Sequence, residues 1–161
     1  MRLRLAAYLA EAYDAQAYDA QASEDWRKKY NYVWGFREGL AAVRLKSKYG
    51  FVNEEGKEVV EPKYDWIGPF SEGFAAVVLN GWRGFVNTEG KEVVEPQYDE
   101  VYGFHDGFAQ VKLKDKWGLV NTEGVEVVEP KYDDENMKSL ETYLRLGGNL
   151  DVILPSFELI A

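Results

Sequence analysis

The chain has 161 residues, 46% of them hydrophobic, with 5 Trp, 11 Tyr and 8 Phe and a formal net charge of −9. That length and apolar content suit a domain with a real core and exclude a disordered polar chain. The lack of cysteine excludes disulfides and thiolate nucleophiles, and with no basic run beyond Arg27-Lys28-Lys29 the chain is a poor ligand for phosphate backbones, which need clustered Lys and Arg.

The first residues mimic a secretory signal only briefly, because Glu11 and Asp14 cut the apolar stretch short. Residues 3–22 are rich in Ala, Leu, Gln and Glu, with the pentad AYDAQ duplicated, and predict a helix. Tyr8, Tyr13 and Tyr18 step by five and drift round that helix, yet with Leu9, Ala12 and Ala15 they leave a docking face. A membrane-surface helix would need a basic polar face, and this one is acidic. No segment approaches the ~20 apolar residues of a bilayer span. The expectation is a soluble, cytoplasmic protein with no membrane partner.

From Tyr30 onward the chain repeats. Three units of 34 residues start at Phe36, Phe70 and Phe104, and half a unit precedes them, since Tyr30-Asn31 lies one period before Tyr64-Asp65. Tetratricopeptide helix pairs have a period of about 34, but the glycines and the proline of each unit interrupt any helix within about ten residues. The segments between them alternate. Ala41, Val43 and Leu45 recur as Ala75, Val77, Leu79 and as Ala109, Val111, Leu113, the signature of a strand half-buried on one face. Next come Gly50–Asn53 and Lys57–Glu61, joined through Asn53-Glu54-Glu55-Gly56, a hairpin whose glycine should take positive φ. Pro62, Pro96 and Pro130 read as strand ends, because proline gives the ladder no donor. A short extended piece such as Tyr64–Ile67 then leads to the next Phe-x-[Glu/Asp]-Gly turn.

After the last unit, Asp133-Asp134 predicts the cap of a helix running to about Leu146, with Met137, Leu140 and Leu144 on one face and Gly147-Gly148 ending it. The apolar stretch from Asp151 to Ala161 predicts a docked tail. Repeat arrays need atypical ends to cover their exposed edges. The expected fold is therefore mainly β: an array of tandem 34-residue β-meander repeats over 30–133, with a helical cap at 1–29 and a helix and docked tail at 134–161. An open stack and a partly closed barrel both fit.

Lys116-Trp117-Gly118-Leu119-Val120-Asn121 is echoed by Lys48-Tyr49-Gly50-Phe51-Val52-Asn53 and by Arg83-Gly84-Phe85-Val86-Asn87. With Phe-x-Glu-Gly-Phe-Ala-x-Val upstream and Gly-Lys-Glu-Val-Val-x-Pro-x-Tyr-Asp downstream, residues 30–133 resemble the bacterial WG-repeat (KWG) family. Only Trp117 keeps the signature tryptophan. Tyr49 and Arg83 hold its place elsewhere, and Trp82 stands one residue early, which should turn its side chain to the opposite strand face. The resemblance implies a β-rich repeat scaffold without a generally assigned catalytic activity.

Candidate chemistry is sparse. His105 occupies a turn position filled by Arg37 and Ser71 in the other units, so it reads as an exposed turn residue rather than a base with an orienting partner. No nucleophile elbow, Walker loop or zinc-ligand spacing occurs, so no enzyme activity, metal or cofactor is expected. Glu58, Glu92 and Glu126, and likewise Glu61, Glu95 and Glu129, recur with the period and would form acidic rows on stacked units. The plain reading is a solvated face screened by Lys57, Lys63, Lys91 and Lys131; calcium binding is the sharper one. Asp65, Asp99 and Asp133 each follow a turn proline and suit backbone capping, while the preceding Tyr64, Tyr98 and Tyr132 suit core packing with the hydroxyl at the edge.

The variable aromatics say more. Tyr32, Trp34, Trp66 and Tyr102 change from unit to unit, as core positions in a tight repeat seldom do. They serve either as interface anchors or as cover for the loops between units. The expected function is non-enzymatic protein binding through Trp34, Trp66 and Tyr102 with Glu58, Glu92 and Glu126, toward a protein of basic or mixed surface and not toward nucleic acid directly. The alternative is a small acidic inhibitor whose carboxylates mimic phosphates in the basic nucleic-acid channel of a nuclease-type enzyme. Stacking of the aromatics on sugars comes third.

Overall fold

The computed structural model describes residues 25–152, which fall into two compact units divided between Tyr64 and Asp65. The helix expected over 3–22 and the end of the docked tail lie outside the described residues.

The first unit holds one antiparallel sheet of four strands in sequence order: β1 (Tyr32–Val33), β2 (Leu40–Leu45), β3 (Lys48–Asn53) and β4 (Glu58–Tyr64). The second unit holds two more of the same design. One comprises β5 (Trp66–Ile67), β6 (Phe74–Leu79), β7 (Trp82–Asn87) and β8 (Glu92–Tyr98); the other comprises β9 (Glu100–Val101), β10 (Phe108–Leu113), β11 (Lys116–Asn121) and β12 (Glu126–Tyr132). Helix α1 (Asp134–Arg145) follows. The fold is mainly β, a tandem series of β-meander sheets, as the repeat predicts.

Three boundaries differ from the sequence reading. First, β3, β7 and β11 begin two residues ahead of their glycine, because the turns Lys46-Ser47, Asn80-Gly81 and Lys114-Asp115 have positive φ at both central residues. Such tight turns match the twist of the flanking strands and let pairing run to the hairpin tip. Second, Pro62, Pro96 and Pro130 do not end their strands. They lie inside β4, β8 and β12, each at the edge of its sheet and beside a register shift, where no ladder donor is required. Third, the piece Tyr64–Ile67 is divided, with Tyr64 closing β4 and Trp66–Ile67 opening the next sheet.

The register shift explains the invariant glycine of the repeat. A Cβ on Gly84 would overlap the Val94 carbonyl oxygen of the neighbouring strand, and Gly50 and Gly118 face Val60 and Val128 in the same way. Only glycine permits that approach.

Both faces of each sheet are apolar. In the second unit Phe85, Val94 and Tyr98 pack against Phe104, Ala109, Val111 and Val120 of the following sheet. The other face of that sheet, Trp117, Leu119, Val128 and Tyr132, is covered by Met137, Leu140 and Leu144 of α1. A 12-residue helix is marginal by itself, so this apolar contact holds it. The Asp133 side chain caps α1 by accepting from the Asn136 amide, and Gly147 with φ 85° follows its end, as expected. In the first unit Tyr30 joins Ala41, Val43 and Val52, with Trp26 and Phe36 packed around them.

The close approach at Gly84 has a measurable cost. Gly84→Ala should destabilise the protein by about 3 kcal/mol or more, because backbone must move. Gly103→Ala, where a Cβ meets nothing within 4 Å, should change stability by no more than about 0.5 kcal/mol. Urea unfolding midpoints of the two variants test this.

Candidate partner-binding surface

The polar positions that recur with the period are spent on architecture. Asp65 Oδ2 accepts from the Asn80 amide and Asp99 Oδ2 from the Lys114 amide, both at 2.8 Å. Each carboxylate therefore caps a tight hairpin turn, as expected of backbone-capping aspartates. Asn31 Oδ1 does the same for Lys46 at 2.9 Å, which identifies Tyr30-Asn31 as the end of a truncated repeat.

Two of the tyrosines before these caps, Tyr30 and Tyr98, are buried, and the hydroxyl of each reaches a glutamate 28 positions on. Tyr30 donates to Glu58 at 2.7 Å, and Tyr98 donates to Glu126. Burial first, then the hydrogen bond and the negative charge of the glutamate, raise both phenols well above their usual range. Glu58 also accepts from Lys29 Nζ at 2.7 Å. The Lys29 bond, then the Tyr30 bond, hold Glu58 below the usual carboxylate range against the opposing effect of burial. Its cation is Lys29, not the neighbouring Lys57. Of the carboxylates expected to meet a partner, Glu58 and Glu126 are thus hydrogen-bonded internally, and Glu92 holds the same place at the start of β8, half-buried. The row Glu61, Glu95 and Glu129 is exposed, with Lys131 Nζ 3.7 Å from Glu129.

The four variable aromatics are exposed: Tyr32 56%, Trp34 39%, Trp66 49% and Tyr102 55%. They are not equivalent. Trp34 and Tyr102 share one repeat position and lie over the residue at the signature position: Trp34 is 5.8 Å from the Tyr49 ring, and Tyr102 stacks at 5.3 Å on Trp117. The middle repeat has Gly68 and Arg83 at these two places, and Trp66, from two residues earlier, reaches across Gly68 instead. Trp34 and Tyr102 therefore cover a neighbour with one face and meet solvent with the other. Trp117 is 6% exposed and donates its indole N–H to Asp134 of α1, so the signature tryptophan anchors the terminal helix.

Trp82 was not among the expected contact residues and is 44% exposed. Its pairing with Leu79, while Arg83 pairs with Val78, puts it on the opposite strand face from the signature position, at the place of Lys48 and Lys116. The signal for it in the sequence was a tryptophan standing where the other repeats carry lysine.

His105 is exposed in its turn, with Nδ1 4.0 Å from Glu72. Among the described residues no group of three His, Cys, Asp or Glu is arranged to hold a metal ion, and no helix is long and apolar enough to cross a membrane.

A family model for the WG containing repeat matches residues 28–49, 49–81, 84–117 and 117–134. These matches cover more than half of the chain, which therefore belongs to the WG-repeat family. A comparison with curated proteins gives no match.

The Tyr–Glu bonds give stability a pH dependence at both ends. The folded phenol of Tyr98 titrates above the ordinary value of 10.0, so its contribution is complete below about pH 10 and is lost as pH rises beyond it. The Glu58 contribution is complete above its ordinary 4.5 and is lost as pH falls below that value. Unfolding free energy measured by urea titration should decline on both sides. Tyr98→Phe should cost about 1–2 kcal/mol at pH 7 and reduce the alkaline loss.

Proposed function

We propose that this chain is a non-enzymatic protein-binding module of the cytoplasm, with contacts made by the exposed aromatics of its successive sheets. The observation that carries this reading is the exposure of Trp34, Trp66 and Tyr102, one from each sheet or its adjoining loop. Large aromatic side chains left half in solvent are typical binding anchors. The carboxylates tune encounter. Glu58 and Glu126 act as charges held in place by Tyr30 and Tyr98, with Glu92 at the corresponding place. Charges of this kind set on-rate and salt dependence more than contact energy.

A second reading is favoured by the distribution of charge. Residues 65–161 carry 18 acidic and 8 basic side chains, against 10 and 11 in residues 1–64. An acidic surface of that kind would suit an inhibitor that enters the basic nucleic-acid channel of a nuclease-type enzyme.

Affinity purification from the source cell, followed by measurement with the purified partner, separates the two. Under the first reading Trp66→Ala weakens binding at least tenfold with an unchanged melting temperature. Replacing the exposed Glu61, Glu95 and Glu129 with Gln mainly slows association at low salt. If the Gln triple variant abolishes binding while Trp66→Ala binds normally, the phosphate-mimic reading replaces it.

A further inference from the structure

The repeats serve as controls for one another, and one comparison exposes a surface with the opposite character to the protein as a whole. Between Trp26 and Asn53 the chain has seven basic residues and one acidic residue, Glu38. In the last sheet, Lys112, Lys114 and Lys116 stand at the β10–β11 hairpin among Asp99, Glu100 and Asp115. Lys112 Nζ lies 3.5 Å from Asp115, the Lys114 amide donates to Asp99, and Lys112 is paired across strands with Glu100. Two periods earlier the same three basic places are Arg44, Lys46 and Lys48, while the three acidic places are Asn31, Tyr32 and Ser47. The cations are kept and every carboxylate among them is exchanged for a neutral residue.

The replacements also bring aromatics. Tyr32 pairs across strands with Arg44, and Arg44 with Tyr49, which sets the three side chains in one row on one face of the sheet. The Arg44 guanidinium lies 5.8 Å from the Tyr49 ring. Trp34 leans on both tyrosines, 4.3 Å from Tyr32 and 5.8 Å from Tyr49. Arg44 and Lys46 are exposed, as are Tyr32 and Trp34.

We propose that the end of the first sheet formed by Tyr32, Trp34, Arg44, Lys46 and Tyr49 is a docking site for an acidic peptide segment of a partner protein. The proposal rests on the protein-binding reading and specifies the partner at Trp34. A guanidinium and an ammonium beside a ring cluster can take carboxylates as charge-assisted hydrogen-bond partners and an adjacent apolar side chain on the rings. A peptide fits better than a nucleic acid. Phosphate backbones gain affinity through many Lys and Arg contacts, and the excess of acidic side chains in residues 65–161 opposes the approach of a long polyanion. A short segment needs only one or two carboxylates.

The test uses the full chain and fluorescence anisotropy of three labelled probes: a glutamate-rich peptide carrying one phenylalanine, its lysine-rich counterpart, and oligothymidylate. The glutamate-rich peptide should bind, and more weakly as salt rises. Trp34→Ala should weaken it at least tenfold. Arg44→Gln with Lys46→Gln should do the same and flatten the salt dependence. Lys112→Gln with Lys114→Gln, the matching change on the last sheet, should leave binding unchanged. No binding of the glutamate-rich peptide, binding indifferent to the Trp34 and Arg44/Lys46 changes, or tighter binding of oligothymidylate lost with Arg44 and Lys46 would each overturn the inference. Binding of only the lysine-rich peptide, abolished by Trp66→Ala, would overturn it while leaving the protein-binding reading intact. A purified partner indifferent to Trp66→Ala, with the glutamate-rich peptide still bound through Trp34, would instead count against the Trp66 surface.

Discussion

Each four-stranded sheet of this protein is apolar on both faces, and that condition shapes most of what surrounds it. A sheet with one solvated face alternates apolar and polar residues. Here Val111 and Val120 on one side and Trp117 and Leu119 on the other are all buried, so each face needs a cover. In the second unit one sheet covers another through Phe85, Tyr98 and Phe104 with small and β-branched residues around them, and the last exposed face is closed by α1. In the first unit Trp26 and Tyr30 close a face of the first sheet. A ring stands there against Gly56, the place where Gly124 meets the Val93 backbone of the preceding sheet. The N-terminal segment thus imitates the end of a repeat, down to the Asn31 cap and the Tyr30–Glu58 bond.

Close stacking also explains why the most regular positions are not the functional ones. The glycines at the register shift and the capping aspartates recur because every sheet needs the same strand approach and the same hairpin tip, and within each unit a Tyr–Glu bond closes a packed face. Carboxylates that recur with the period invite a binding interpretation, yet two of them are hydrogen-bonded to buried tyrosines. Candidate function resides in the departures from the period: Trp66 reaching over Gly68, Trp82 in a lysine position, and Asn31, Tyr32 and Ser47 in place of three acids. A scaffold of this type can vary such positions at little cost, because they lie at hairpin tips and on short first strands, away from the stacked faces.

Much of the architecture was legible in the sequence. Period-2 alternation located β2, β6 and β10 and their buried faces, and glycine located the Asn53–Gly56 turns, with φ of 81° at Gly56. An Asp followed by a one-sided apolar pattern located α1. These are local signals, set by backbone sterics and by the pitch of a strand or helix. What misled the reading was non-local. Pro62 ends a strand only if its missing N–H is needed, and that depends on whether β4 is an edge strand. The tight turns at Lys46-Ser47 and Lys114-Asp115 lack the glycine that marks Asn80-Gly81, so only the paired ladder reveals them.

The sequence by itself determined the repeat, its β character and its terminal helix, because period, alternation and capping are properties of neighbouring residues. Only the tertiary structure decided which side chains serve the stack and which are left for a partner. Tyr98 and Glu126 are 28 residues apart, and Trp117 and Asp134 are 17 apart. Such pairs meet only when sheets and helix pack, and no local pattern announces them. The basic end of the first sheet has the same origin. Its charges and rings come from three strands and a hairpin tip, and the register of β1, β2 and β3 gathers them onto one surface of an otherwise acidic chain.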